Sequence, residues 1–196
     1  MLYRLRDVLV AVVVLGILSG PLVLICLILL LTQQRVFFVQ ERTGYRGRPF
    51  RLVKFSTLRD IRPGEREEDS QRGRLTPLGK VLRRLSLDEI PNLFNVLAGQ
   101  MSLVGPRPLI HDYWTLYSDA QKRRFEVLPG ITGWAQVKGR NALTFTDRFV
   151  LDAWYVDHKS LGLDIKILGM TVGKLFSGQG VYVDGQTTAE RFDGTN

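Results

Sequence analysis

The sequence predicts an α+β protein, mostly helical, in which an N-terminal apolar membrane segment precedes a small domain with a few short strands. Three observations predict it. Val8 to Leu31 contains no charged residue. Short apolar runs interleaved with basic residues follow, separated by a Gly-rich turn, which is a hairpin pattern. Beyond residue 76 the apolar residues recur at helical spacing, punctuated by Gly and Pro. The chain divides accordingly into residues 1–32, the membrane segment, and residues 33–196, the folded domain.

A chain of 196 residues fits one domain with an appendage. The net charge of +8 is concentrated, since residues 33–84 hold fourteen Lys/Arg against six Asp/Glu. A basic segment beside an apolar run is drawn to an anionic leaflet by about 1 kcal/mol per residue held close to it. It can also hold polyanionic substrates. The single cysteine, Cys26, excludes an intramolecular disulfide and a Cys-rich metal site. The lack of a disulfide framework places the domain in the cytosol. His111 and His158 are too isolated to suggest a metal site.

As a continuous helix, Val8 to Leu31 would be about 36 Å long at ~1.5 Å per residue, enough to cross a ~30 Å hydrocarbon core. Ser19-Gly20-Pro21 sits in its middle. Pro21 removes a backbone donor and Gly20 lowers helix propensity, so a kink is expected, with Ser19 able to bond a freed carbonyl. Both flanks are basic: Arg4 and Arg6 before, Arg35, Arg42, Arg46, Arg48 and Arg51 after. The positive-inside rule would keep both ends in the cytoplasm. A re-entrant helix-break-helix satisfies both features, and a kinked span is the alternative.

Val36 to Val39 and Phe50 to Phe55 read as strands joined by the turn Gly44 to Arg48. By pattern alone, Lys54 is an exposed strand lysine. Ile61 to Gly73 is a charged, Gly/Pro-punctuated segment that reads first as a solvated surface loop, with a lid over the site as the alternative. Thr76 to Leu85 is a helix with Thr76 as cap and Pro77 at its first position. Ser86-Leu87-Asp88-Glu89 has two readings. Ser86 caps a helix and Glu89 reaches back to it, or Asp88 is itself the cap with Pro91 in the first turn. Both put Asp88 at a helix N-terminus, where free N–H groups and the dipole favour phosphate. An aspartate of ordinary pKa ~3.9 is ionised at neutral pH and can act as a nucleophile.

Arg107 stands between Pro106 and Pro108, which fix the backbone on both sides. An arginine so held can meet a phosphate as a bidentate fork; a surface turn with a solvated arginine is the other reading. Tyr113 to Val127 has helical spacing, with Lys122-Arg123-Arg124 as a solvated or headgroup-facing cluster. Phe149 to Phe176 is helical too, and its Trp154 and Tyr155 suit either a membrane interface or a core.

Several long motifs stand in order: Arg4-Leu5-Arg6-Asp7, Q-E-R-T-G-Y-R-G-R-P-F-R-L-V-K-F-S-T-L, the string Leu85 to Pro108, and P-G-I-T-G-W-A-Q-V-K-G-R-N over 129–141. Over nearly the whole chain they resemble the bacterial sugar transferases, the monotopic phosphoglycosyl transferases. The chain departs from that pattern at Gly20, where relatives carry proline, with Pro21 one residue late. It departs again at Ser56, usually basic, and at Lys138, usually asparagine.

The resemblance implies a re-entrant helix in the bacterial inner membrane, with the catalytic domain on the cytoplasmic face. It implies a ping-pong transfer of sugar phosphate from a UDP-sugar to polyprenol (undecaprenyl) phosphate. Asp88 and Glu89 would be the catalytic dyad. Asp88 would carry the phosphosugar, and Glu89 would be base, metal ligand or positioning group. Lys54, Arg83 and Arg107 would lie at the phosphates, and Arg140 and Asn141 at the nucleotide or sugar. A Mg²⁺ ion would sit at Asp88, with Glu89 as a further ligand, as phosphoryl transfer calls for. The tail T-T-A-E-R-F-D-G-T-N resembles small members that transfer acetamido sugars such as diacetylbacillosamine. A homodimer is left open. A different class, a non-catalytic membrane adaptor for anionic lipid or nucleic acid, explains the basic segment but not Asp88-Glu89 beside Pro106-Arg107-Pro108. No interleaved aromatic RNA-binding motif is present, so a nucleic-acid partner is not expected.

Overall fold

A computed structural model describes residues 2–33, 35–61, 71–139, 143–177 and 192–194. It is mostly helical with a few short strands. The first helix, α1 (Leu2–Gln33), is apolar and contains Pro21. The expected break at Ser19-Gly20-Pro21 does not interrupt it. Ser19 Oγ donates to Gly16 O at 2.8 Å, inside the helix, rather than to the Ile17 carbonyl that Pro21 leaves without its usual donor.

Both halves of α1 pack on the domain. Arg4 donates to the carbonyls of Val96 and Leu97, and so caps the C-terminus of α4 (Asn92–Leu97). Arg6 bridges Asp7 at 2.7 Å and Asp164 at 2.6 Å. Asp7 also accepts from Ser102 Oγ at 2.6 Å, and Asp164 from Tyr155 Oη at 2.7 Å. This buried cluster ties α1 to β3 (Ser102–Val104), α7 (Phe145–His158) and α8 (Leu161–Ser177). Ala11 then joins the main core with Leu93, Val96, Met101 and Val104. Farther along, Leu22, Ile25, Cys26 and Leu29 pack with Phe55, Leu82 and Leu87.

The strands β1 (Phe37–Thr43) and β2 (Pro49–Phe55) pair antiparallel, Phe37 opposite Phe55 and Thr43 opposite Pro49. They run longer than the apolar runs suggest, because the ladder continues through Arg42 and Thr43 to the turn. A short helix, α2 (Gln71–Arg74), precedes α3 (Pro77–Arg84), whose N-terminus is capped by Thr76 Oγ1 accepting from Gly79 N at 2.9 Å. The loop expected over 61–73 otherwise falls, at 62–70, outside the described residues.

A second pair, β3 and β4 (Gly130–Thr132), is parallel, with Ser102 opposite Gly130. Glycine is required where they meet the Pro106 segment: a Cβ on Gly130 would lie 2.1 Å from Gly105 N. Between these strands the expected single helix over 113–127 is divided. A 3₁₀ helix, His111–Leu116, is followed by α5 (Asp119–Lys122) and a second 3₁₀ turn, Arg123–Phe125. Ser118 and Gln121 form a capping box that starts α5 afresh. The basic cluster there is not uniformly solvated either. Arg124 is only 1% exposed, because Asp152 on α7 draws it inward. The segment α6 (Trp134–Lys138) leads toward α7. Phe145, Phe149, Tyr117, Phe125 and Phe192 form a separate aromatic core.

Candidate active site

The acids stand on a 3₁₀ turn, Leu87–Glu89, between α3 and α4. Neither capping arrangement forms. Ser86 is left-handed (φ 54°) and makes no capping bond, and α4 begins only after Pro91. The reason is long-range. Glu89 Oε1 accepts from Lys54 Nζ at 2.6 Å and from Arg107 Nη2 at 2.7 Å, so its side chain turns into the fold instead of back along its own helix. Arg107 Nη1 adds a weak contact to Oε2 at 3.5 Å. Lys54 is therefore not a solvated strand lysine; its side chain is 17% exposed. Arg107 remains 40% exposed and reaches both the glutamate and solvent.

Adjacent residues on the turn diverge, and the two carboxylates meet different surroundings. Burial alone would push Glu89 up, but Arg107 and Lys54 outweigh it and hold the carboxyl well below the usual range. Asp88 goes the other way. Burial raises its pKa and the Glu89 charge raises it further; Lys54, Arg83 and Arg107 offset only part. Among the described residues, Asp88 takes no side-chain hydrogen bond or ion pair. One acid is thus tied and ionised, and the other, without a side-chain partner among the described residues, is more basic than an ordinary aspartate.

Arg83, on the last turn of α3, donates from Nε to Thr57 Oγ1 at 2.9 Å and lies close enough to Asp88 to act on its charge. Ser56 is buried, and its hydroxyl donates to Leu58 O at 3.2 Å, so that position serves the backbone. Arg140 and Asn141 fall outside the described residues.

Two residues join this neighbourhood that the sequence did not single out for it. Arg42, on β1, lines the same cleft as Lys54, Glu89 and Arg107, and burial together with the Arg107 charge pushes it down to about 10. The fully buried Asn92 lines the cleft too. Arg42 belonged to the basic flank and carried no separate signal. Arg124, behind Arg107, did have one: Asp152 falls on the same helical face as Phe145 and Phe149, and an acid on a buried face calls for a cation.

As for Mg²⁺, no group of three or more His, Cys, Asp or Glu side chains gathers among the described residues. That is compatible with the ion's habits, since Mg²⁺ commonly takes one or two carboxylates plus substrate phosphates. Asp88, unpaired among the described residues, fits such a ligand set. Glu89 fits it less well, because cations already occupy its oxygens.

The bacterial sugar transferase family matches residues 1–178. An uncharacterized sugar transferase of Bacillus subtilis (strain 168), EpsL, is 51% identical over 160 residues, covering 82% of this chain and 79% of that protein. The UDP-glucose:undecaprenyl-phosphate glucose-1-phosphate transferase of Caulobacter vibrioides is 37% identical over 191 residues, 91% of this chain and 71% of that one. The galactosyl transferase CpsE of Streptococcus agalactiae serotype III is 40% identical over 157 residues, 73% of this chain but 35% of the relative.

Proposed function

The chain belongs to the bacterial sugar transferase family, and from that premise we propose that it moves a sugar phosphate from a UDP-sugar to undecaprenyl phosphate at the cytoplasmic face of the membrane. The observation that carries this reading is the unlike pair of acids, Glu89 bound by Lys54 and Arg107 beside an unpaired, more basic Asp88.

In the first half-reaction an Asp88 carboxylate oxygen attacks the β-phosphorus of the UDP-sugar. The bond from that phosphorus to the bridging oxygen breaks, and UMP leaves. In the second, a phosphate oxygen of undecaprenyl phosphate attacks the same phosphorus, and the Asp88 oxygen departs as carboxylate. A raised pKa makes Asp88 the better nucleophile among carboxylates. Lys54, Arg83 and Arg107 supply positive charge for the diphosphate. Glu89 holds Lys54 and Arg107 in place before substrate arrives. Bound Mg²⁺, held by Asp88 and the substrate phosphates, would supply further charge neutralisation.

The Caulobacter relative is named for glucose phosphate and the Streptococcus one for galactose; the tail motif points instead to an acetamido sugar. The test is UMP release in detergent with Mg²⁺ across UDP-glucose, UDP-galactose and UDP-acetamido sugars, followed by mass spectrometry for a phosphosugar adduct on Asp88. No UMP from any donor would reject the reading, and an adduct on another residue would reject the assignment of Asp88.

Monotopic anchoring is part of the proposal. It is supported by the apolar α1 and by the packing of both its halves on one domain. A non-catalytic adaptor would have no use for two cations organised around one partly buried glutamate, Glu89.

A further inference from the structure

The Pro106-Arg107-Pro108-Leu109 strap is held through its carbonyls. Gly130 N donates to Pro106 O at 3.0 Å, Arg124 Nη2 to Arg107 O at 2.8 Å, Arg42 Nη1 to Pro108 O at 3.4 Å, and Thr43 N to Leu109 O at 3.0 Å. Four consecutive carbonyls are thus fixed from β4, from the Arg123–Phe125 turn and twice from β1. The prolines have no N–H to offer, so the carbonyls are the available handles at those positions. The bond to Arg107 itself comes from a side chain that is 1% exposed.

Arg124 spends its remaining donors inside the protein. Its Nε and Nη2 donate to Asp152 Oδ2 at 3.1 and 2.7 Å, and Nη1 to Tyr117 Oη at 3.5 Å. Its guanidinium carbon stands 4.8 Å from the centre of the Phe149 ring. An aromatic core gains nothing obvious from a buried ion pair, since apolar residues of like volume fill such space at least as stably. A rigid, many-donor plane is needed for something else, namely to hold Asp152 and the Arg107 carbonyl at once.

We propose that Arg124, braced by Asp152, is a positioning residue for sugar-phosphate transfer: it fixes the Arg107 peptide and thereby aims the Arg107 guanidinium at Glu89 and the incoming phosphate. This rests on the phosphoryl-transfer reading of the site.

The paired substitution Arg124→Met with Asp152→Leu replaces the buried ions by apolar side chains and keeps the fold. Its kcat/KM for the UDP-sugar should fall roughly 30- to 100-fold, the size of a small misplacement at a reacting centre. In an Arg107→Ala background the same pair should cause no further loss. Arg124→Lys keeps the charge opposite Asp152, and so the fold, but a point-charge ammonium cannot bridge both acceptors. It should lose nearly as much, and it carries the comparison should the double variant not fold.

Side-chain NMR of the Arg107 guanidinium in nanodiscs gives a readout that needs no turnover, expected ordered in the wild type and averaged in either variant. Wild-type protein that releases no UMP rejects the function alone. An unchanged Arg107 signal with unchanged kcat/KM, or a loss that repeats in full without Arg107, overturns the positioning role.

Discussion

Adjacent acids, identical in charge, are driven apart by what surrounds them, and that separation has opposite consequences for stability. Asp88 has a folded-state pKa raised above its unfolded value, so its ionised form costs the folded state free energy at neutral pH. Asp88→Asn removes that cost and should raise the melting temperature while abolishing UMP release. A variant that transfers sugar phosphate at the wild-type rate would remove Asp88 from the mechanism. The same shift sets the titration of Asp88 in the metal-free protein: followed by NMR, its carboxyl should protonate above the ordinary aspartate value, and added Mg²⁺ should pull that value back down. Glu89 behaves in the reverse sense. Its pKa is depressed, so its stabilisation is present above the unfolded value of about 4.3 and is lost as pH falls toward the folded one. Glu89→Gln leaves Lys54 and Arg107 without a counter-charge and should destabilise by about 2–4 kcal/mol in denaturant titrations. Wild-type stability in that variant would mean the ion pairs are solvated rather than structural.

At the scale of elements, what sequence made legible was local. Thr76-Pro77 starts α3 where the cap chemistry says it should, and the apolar runs place the β1–β2 hairpin. The turn bearing the acids was not legible, since its conformation is decided by Lys54, 35 residues before Glu89, and Arg107, 18 residues after it. Those partners override a respectable capping pattern and leave Ser86 left-handed. Arg124 turns inward toward an acceptor 28 residues away on α7, and its one local signal is the place of Asp152 on the apolar face of that helix. Close approach between elements is equally invisible. A Cβ on Gly79 would stand 2.2 Å from Thr57 O, so α3 sits against the end of β2 only because that residue is glycine. Gly79→Ala should therefore push α3 away, break the Arg83–Thr57 bond one turn on, and destabilise by about 1–3 kcal/mol with reduced transfer. Gly169→Ala on α8, where a Cβ meets nothing, should instead stabilise by about 0.5–1 kcal/mol. Equal effects in thermal unfolding would show that the α3 contact is soft.

For the whole molecule, the question is how an apolar helix of 32 residues relates to a domain that grips both its halves. The exposed side of α1 carries Leu5, Leu9, Val12, Ile17, Leu24, Leu27 and Leu30, and exposed apolar residues continue onto its neighbours: Phe37, Phe38 and Val39 on β1, Val81 on α3, and Phe94 on α4. Water is a poor solvent for such a surface, and contiguous patches of this kind mark lipid or partner contacts. The acid turn lies in the chain between the exposed Leu85 and Phe94, and under the proposed function the lipid acceptor would approach Asp88 from that apolar side. Crossing the bilayer would require one end of α1 to leave the domain. Arg4 is hydrogen-bonded to α4, and Leu29 is buried with Phe55 and Leu82, which opposes release at either end. Single cysteines at Leu2 and Leu31, 61% and 86% exposed, placed in a Cys26→Ser background, should therefore react with a membrane-impermeant reagent from the cytoplasmic side in inverted vesicles. Neither should react in right-side-out spheroplasts. Labelling of one position in each preparation would mean that α1 spans the membrane, that one of its two packed ends has come away, and that the site's approach to lipid must be rebuilt on a different geometry.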